Sequence, residues 1–428
     1  MTQTNSKNES ALEITALSYG PYGIGRAHGE VVMVPETAPG DRVRVRIREQ
    51  KKNYAIGTVV DILRSSPWRR SPPCPYVREC GGCPWQQVRY ERQLQAKQQS
   101  VEDALKRIAK VDAFDLSPVI SSPLEYGYRR RVRFQCDHDR KLGFYRPFSH
   151  ELVEVHSCAI ADPAINSVIP ALRNWVRRLQ TAAEQLEIVT GDRPDELAVV
   201  VFSRQPFTAA DDLIYGDLLR HEPQIRGIVF SGDERRTWGQ AKLTVITEDG
   251  IHLRVEADVF TQVNREGNQA IVKELVGAGA FDRSDCVLEL YCGAGNFTLS
   301  IANRVGEIIA VEGHRQSIES GKRSAQLNDL NNIKWIVADV PRAVKRLRQR
   351  GERFSKIVLD PPRAGAKGIE RDLAAFDAAR IFYLSCNPTT LARDIAPLIK
   401  QGYELSRVQP IDLFPQTFHV ETLAVLTR

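Results

Sequence analysis

The segment Leu384-Ser385-Cys386-Asn387-Pro388 sets a thiol directly after an apolar run that includes Ala379, Ile381, Phe382 and Leu384. In an α/β sheet the carboxyl ends of the strands face the crevice where ligands bind, so a cysteine at that point suits a covalent nucleophile. A lone cysteine reads more simply as a small buried thiol. This one has company. Upstream, Leu359-Asp360-Pro361-Pro362-Arg363 follows the short apolar run Ile357-Val358-Leu359, and its two prolines cannot continue a strand ladder, so the chain leaves the sheet and carries its polar groups into the crevice. Glu421, close to the C-terminus, lies near the start of a final apolar strand, Thr422 to Leu426.

A third segment, Glu289-Leu290-Tyr291-Cys292-Gly293-Ala294-Gly295-Asn296-Phe297, reads as strand, tight turn and helix start. Glycine is needed where a side chain would keep the backbone away from a ligand. The turn departs from the full GxGxxG fingerprint, and taken alone it fits a dinucleotide as well as another nucleoside ligand. Glu312 then ends Ile308-Ile309-Ala310-Val311, where an acid accepts hydrogen bonds from both ribose hydroxyls, and Asp339 ends Trp335-Ile336-Val337-Ala338, placed to meet an adenine. This order of glycine turn, ribose acid and adenine acid suits S-adenosylmethionine better than a nicotinamide. Cys292 reads as a packing residue.

The chain has eight cysteines, three of them in Cys74-x5-Cys80-x2-Cys83, and Cys158 within Glu154-Val155-His156-Ser157-Cys158 is available as a fourth. The packing of three into one loop points to metal ligands rather than a disulfide framework. Four thiolates suit tetrahedral zinc or an iron–sulfur cluster, and spacing does not separate the two. His156 is a further ligand in the zinc reading. Cys136 falls outside the pattern, as a strand residue.

The elements that must position these groups divide into several bodies, as 428 residues exceed one compact core. Short strands at Ala11 to Leu17, Gly29 to Val34, Arg42 to Arg48 and Ala55 to Ile62 predict a small barrel of the OB type over 10–65. Within it, Tyr19-Gly20-Pro21-Tyr22-Gly23-Ile24-Gly25-Arg26 reads as a basic turn carrying aromatics that stack on bases. The stretch 66–90 leads through the cysteine loop. Apolar spacing at Leu94, Val101, Leu105 and Ile108 predicts a helix over 91–112. A strand-rich region over 113–258 carries one helix near 164–186. From 259 to 428 strand, turn and helix alternate, which is the pattern of a doubly wound parallel sheet. Lys and Arg exceed Asp and Glu by six (59 against 53). The excess is concentrated in Arg42, Arg44, Arg46 and Arg48 on one strand face and in Arg129, Arg130, Arg131 and Arg133, which points to a nucleic-acid partner. No apolar run approaches the roughly 18 residues that span a membrane, and the polar start lacks a secretory signal, so a cytoplasmic protein without membrane contact is expected.

Together the glycine turn, the Asp-Pro-Pro-Arg motif and the Ser-Cys-Asn-Pro segment resemble the S-adenosylmethionine-dependent RNA uracil-C5 methyltransferases, and the resemblance extends over nearly the whole chain. It implies a Rossmann-like catalytic domain (91–112 and 259–428), a central domain (66–90 and 113–258) and an N-terminal TRAM barrel for RNA. It also implies cofactor contacts at Gln262 (in Phe260-Thr261-Gln262-Val263-Asn264), Tyr291, Asn296, Glu312, Asp339 and Asp360. Cys74, Cys80, Cys83 and Cys158 match the ligands of a [4Fe–4S] cluster, Cys386 the nucleophile that adds to C6 of uracil, and Glu421 the base that removes the C5 proton. The barrel resembles that of the members acting on 23S ribosomal RNA, with a transfer RNA uridine as the alternative. No obligate protein partner is implied. Two other classes remain open from the residues alone: a non-enzymatic RNA-binding metalloprotein and an amine methyltransferase, both of which would tolerate loss of Cys386.

Overall fold

A computed structural model describes residues 9–428, so the polar leader expected at the start lies almost wholly outside the described residues. Five strands, Glu9–Leu17, Tyr22–Ala27, Glu30–Pro35, Arg42–Gln50 and Ala55–Arg64, close into a barrel. Leu12, Ile14, Val32, Val34, Val43 and Val45 fill its interior, as alternation along each strand requires. The turn expected over Tyr19 to Arg26 is in its second half a strand. Gly23 and Gly25 face the crowded interior, where a Cβ would fall 2.2 Å from Thr37 and 2.5 Å from Leu12. Residues that read as loop punctuation are thus close-packing positions.

The arginine face of Arg42–Gln50 is not bare. Arg44 pairs with Asp61, and Arg46 reaches Glu9 at 2.6 Å, both acids standing on neighbouring strands. The second arginine cluster is also partnered within the protein. Arg131 is buried against Glu187 and donates to the carbonyls of Ala257 and Val259, Arg130 pairs with Asp192, and Arg133 lies over the ring of Phe202. Arg131 ties the central sheet to the segment that follows it, while Arg130 and the exposed Arg133 pair within the central domain, so much of the clustered charge is answered inside the protein; only Arg129 of the four lines the cavity described below.

The helix Tyr90–Ala104 runs on through a π turn to Ala109. Val101, Ala104 and Leu105 share an apolar core with Leu391, Ile395 and Leu398 of the C-terminal domain. Ile108, expected inside, is exposed, whereas Lys97 is buried and meets Asp412 at 2.6 Å. The central seven-stranded sheet contains Arg131–Cys136, Gln185–Thr190, Leu197–Phe202 and Gly227–Ser231. The helix expected near 164–186 covers Pro163–Val176 only, because the chain turns where Gln180 and Thr181 donate their amides to Asp211. Asp211 itself starts a second helix, Asp211–His221, not foreseen in the sequence.

Eight strands form the C-terminal sheet, in the order Ile333–Val337, Glu307–Glu312, Cys286–Leu290, Lys356–Leu359, Arg380–Ser385, Glu421–Thr427, Glu404–Ile411 and Asp115–Leu116. The first five run parallel. Glu421–Thr427 runs antiparallel to both neighbours, so the sheet is mixed rather than wholly parallel. Its reversal returns the chain to the edge from which Cys386 leaves.

Candidate active site

The carboxyl edge of the parallel strands opens on a cavity of about 710 Å³, lined among others by Gln262, Tyr291, Gly293, Asn296, Glu312, Asp360, Arg363, Cys386 and Glu421. The glycine turn forms one wall. Gly293 and Gly295 take φ of +55° and +91°, which an L side chain rarely adopts, and a Cβ on Gly295 would meet the Trp335 ring at 3.0 Å. Glu312 is held by this turn: its carboxylate accepts from Gly293 N at 3.2 Å and from His314 N at 2.7 Å. Asn296 exchanges two amide hydrogen bonds with Asn268, at 2.9 and 2.8 Å. Of the six residues expected to contact cofactor, five line the cavity. Asp339 does not; it caps the helix Val340–Gln349 through Arg342 N, with its side chain 58% exposed.

Opposite the turn stand Cys386 and Glu421. Ser385 is paired with Thr422 across the antiparallel strands, which makes Cys386 and Glu421 neighbours. Burial pushes the Cys386 thiol up to about 11; the charge of Glu421 adds to this, and the guanidinium of Arg363 opposes it. Glu421 is 5% exposed, with one oxygen unpartnered, and burial together with the charge of Asp360 holds its carboxyl well above the usual range. Asp360 is raised to about 7 by burial. Three acidic groups thus share one poorly solvated wall with a single guanidinium, and they cannot all carry charge together.

Arg363 was named in the sequence only as part of its motif. Its guanidinium lies 3.5 Å from His419 Nε2, and burial, followed by the charge of Arg363, lowers that imidazole to about 4. His419 is therefore neutral at physiological pH. Tyr19, on the aromatic turn of the barrel, turns inward, and its hydroxyl donates to the carbonyl of Cys386 at 3.0 Å. Glu289, also inside a quoted motif, is 1% exposed, and both its oxygens lack hydrogen-bond partners.

Cys74, Cys80, Cys83 and Cys158 line one small void, and all are free thiols. Burial raises the Cys80 thiol to about 11 and Cys83 well above its usual value, and the neighbouring cysteines raise both further. His156 does not line this void; it pairs with Arg173. Among the described residues no three His, Cys, Asp or Glu side chains close round a single metal ion. A separate cavity of about 770 Å³, between barrel and cysteine loop, is lined by Val60, Ile62, Phe148 and Phe418 and contains none of the groups above except Cys80 and Cys83.

Mixed sheet, glycine turn and acid-ended strands define a Rossmann-like S-adenosylmethionine-dependent methyltransferase domain, preceded by a small barrel. Residues 89–428 match the family described as tRNA (Uracil-5-)-methyltransferase, and residues 9–60 match the TRAM domain. The chain belongs to the RNA uracil-5-methyltransferase family, and is an S-adenosylmethionine-dependent enzyme acting on RNA. A 23S rRNA (uracil(1939)-C(5))-methyltransferase RlmD of Vibrio parahaemolyticus is 30% identical, with 100% of this chain and 98% of the relative covered. An uncharacterized RNA methyltransferase of Thermosynechococcus vestitus is 33% identical, with 97% of each covered. The tRNA (uracil-54, C5)-methyltransferase of Pyrococcus abyssi, solved with S-adenosyl-L-homocysteine, shares the fold with a TM-score of 0.74 at 22% identity, over 98% of this chain and 100% of that one.

Proposed function

We propose that the enzyme methylates C5 of one uridine in 23S ribosomal RNA through a covalent adduct on Cys386. The observation that carries the mechanism is the thiol and the carboxyl of Glu421 on one buried wall, facing the glycine turn across a single cavity. C5 of uracil is a poor nucleophile. The Cys386 thiolate adds to C6, and the C5–C6 π electrons move to give an enolate with negative character at C5. Arg363 is the cation that favours the thiolate. When bound, S-adenosylmethionine supplies an electrophilic methyl group; Gln262, Tyr291, Asn296, Glu312 and Asp360 would hold it. Glu421 then takes the C5 proton, the C5–C6 double bond re-forms, and the sulfur leaves as thiolate. Its raised pKa makes Glu421 a stronger base once ionised.

Full-length similarity to the Vibrio parahaemolyticus enzyme supports ribosomal RNA; a transfer RNA uridine is the alternative. Since C6 is hidden in stacked RNA, the target must leave the stack. The barrel and the central domain are assigned to the flanking RNA. Mapping 5-methyluridine in ribosomal and transfer RNA from cells with and without the gene tests the target: loss confined to one 23S position is expected, and loss in transfer RNA alone would overturn the ribosomal assignment.

Four thiols on one void suit zinc or an iron–sulfur cluster, and the resemblance to the family favours a [4Fe–4S] group. Their burial and mutual repulsion favour neutralisation by a cationic centre. Such a group would be structural, since methyl transfer from a sulfonium needs no electrons. A cytoplasmic location is assigned on the same footing; no helix among the described residues is long and apolar enough to cross a membrane.

A further inference from the structure

The nucleophile segment is completed from the other end of the chain. Arg380–Ser385 ends one residue before Cys386 and the helix Pro388–Ile399 starts two residues after it, so the Cys386 carbonyl belongs to neither hydrogen-bond ladder. Among the described residues no backbone amide bonds to it, and its one partner is the Tyr19 hydroxyl at 3.0 Å. The Tyr19 ring also stands edge-on to Phe418 at 5.5 Å and to His419 at 6.4 Å, on the segment that leads into Glu421. Its own loop is fixed from below: Trp85 Nε1 donates to the Gly20 carbonyl at 3.1 Å, Ser18 N donates to Tyr22 O at 2.9 Å, and Leu17, Trp85 and Val88 form one apolar cluster against Phe418.

We propose that Tyr19 is a positioning residue of the methyl-transfer site, through which the TRAM barrel fixes the peptide that carries Cys386 and the segment that carries Glu421. The inference rests on the reading of Cys386 as nucleophile. The amide of the same peptide is held, Asn387 N donating to Ser385 Oγ at 3.1 Å; the phenol hydrogen bond secures the carbonyl end, and with both ends fixed the peptide cannot tilt and swing the attached thiol. Because the same ring touches both segments, a shift of the barrel on binding RNA reaches thiol and base together.

Tyr19→Phe in the full chain deletes the hydroxyl and keeps the ring packing. The rate of covalent adduct formation with 5-fluorouridine RNA and the single-turnover rate of methyl transfer, both at saturating RNA, are expected to fall together by about three- to tenfold, the range for one hydrogen bond. Dissociation constants for RNA and for S-adenosylmethionine, and the melting temperature, should stay unchanged. An unaltered adduct rate, or weaker RNA binding with an unaltered rate at saturation, would overturn the inference and make Tyr19 a packing residue or an RNA contact. Cys386→Ala in parallel separates the two readings. If it still forms adduct, the nucleophile assignment fails, and the inference with it; if it does not, the Tyr19→Phe result bears on the positioning alone.

Discussion

Ser385 lies directly opposite Thr422 in the antiparallel pairing of Arg380–Ser385 with Glu421–Thr427. The residue that follows the first and the residue that precedes the second therefore leave the sheet at one edge. These are Cys386 and Glu421. Had the last strand run parallel to its neighbours, its first residue would stand at the opposite edge, the length of the strand away from the thiol.

The two residues are separable by the step at which each variant stops. Cys386→Ala should give neither methylated RNA nor adduct, because no enolate forms, while cofactor and RNA still bind. Glu421→Gln should accumulate a denaturation-resistant adduct carrying the labelled methyl group, because the C5 proton remains. Denaturing electrophoresis with methyl-labelled cofactor reads both, and normal turnover by either variant would remove that residue from its role.

Arg363→Gln should change the pH dependence of adduct formation. The thiol, held near 11 by burial and opposed by Arg363, gains thiolate with each step in pH, so the rate in the unaltered enzyme should rise from about pH 6 to about pH 9. Removing the cation raises the thiol pKa further. The variant should be slower by about tenfold or more at neutral pH, with the deficit maintained until the pH approaches the new pKa, and its rate curve displaced to higher pH. A curve that is lowered but not displaced would argue against this role.

Glu289 makes stability depend on pH. Burial, with the charges of Asp360 and Glu312 behind it, raises its carboxyl from 4.5 to about 8. A group whose folded pKa is raised contributes stability that is fully present below the unfolded value and is lost as pH rises through the folded one. Thermal unfolding of Glu289→Gln should therefore match or fall below that of the unaltered protein near pH 4.5, then gain on it up to about pH 8 and level off, by as much as roughly 5 kcal/mol. A constant difference across the range would show that the carboxyl has a partner in solution.

Anaerobically purified protein should be brown and hold about four irons per chain, and Cys74→Ser or Cys158→Ser should lose both colour and iron. Colourless protein with a single zinc and full activity would overturn the cluster. Because Arg129 lines the active cavity and its charge also acts on the Cys83 and Cys158 thiols, loss of the cluster should lower activity without altering cofactor affinity.

What was legible in the sequence was local. Gly293 and Gly295, the prolines after Asp360 and the apolar runs of four to six residues act through the backbone of their own segment, so strand, turn and site edge follow from residue type and spacing. Gln262, Tyr291, Asn296, Glu312 and Asp360 line the cavity, and each adjoins such a segment. Asp339 lies outside that lining, and its place at a strand end did not reveal that its carboxylate also caps the next helix.

The arginine clusters mark the limit of that reading. Their spacing is visible in the chain, but whether a guanidinium faces RNA or a carboxylate depends on which distant strand lies alongside: Glu9 and Asp61 for one cluster, Asp192 and Glu187 for the other. Alternation cannot show this, because the period of a strand records its own faces and nothing about its neighbours.

The chain by itself determined the methyltransferase segment and the TRAM barrel, and it singled out Cys386 as the thiol at a strand end, all carried by short motifs whose geometry is set within a few residues. Only the tertiary structure decided what surrounds that thiol: the strand reversal that sets Glu421 beside it, the guanidinium of Arg363 and the neutral His419 behind it, and the hydroxyl of Tyr19 on its carbonyl, 367 residues away in sequence. Charge, burial and hydrogen bonding at one point in space sum over groups from every element that reaches it, and that sum has no period or spacing in a linear sequence.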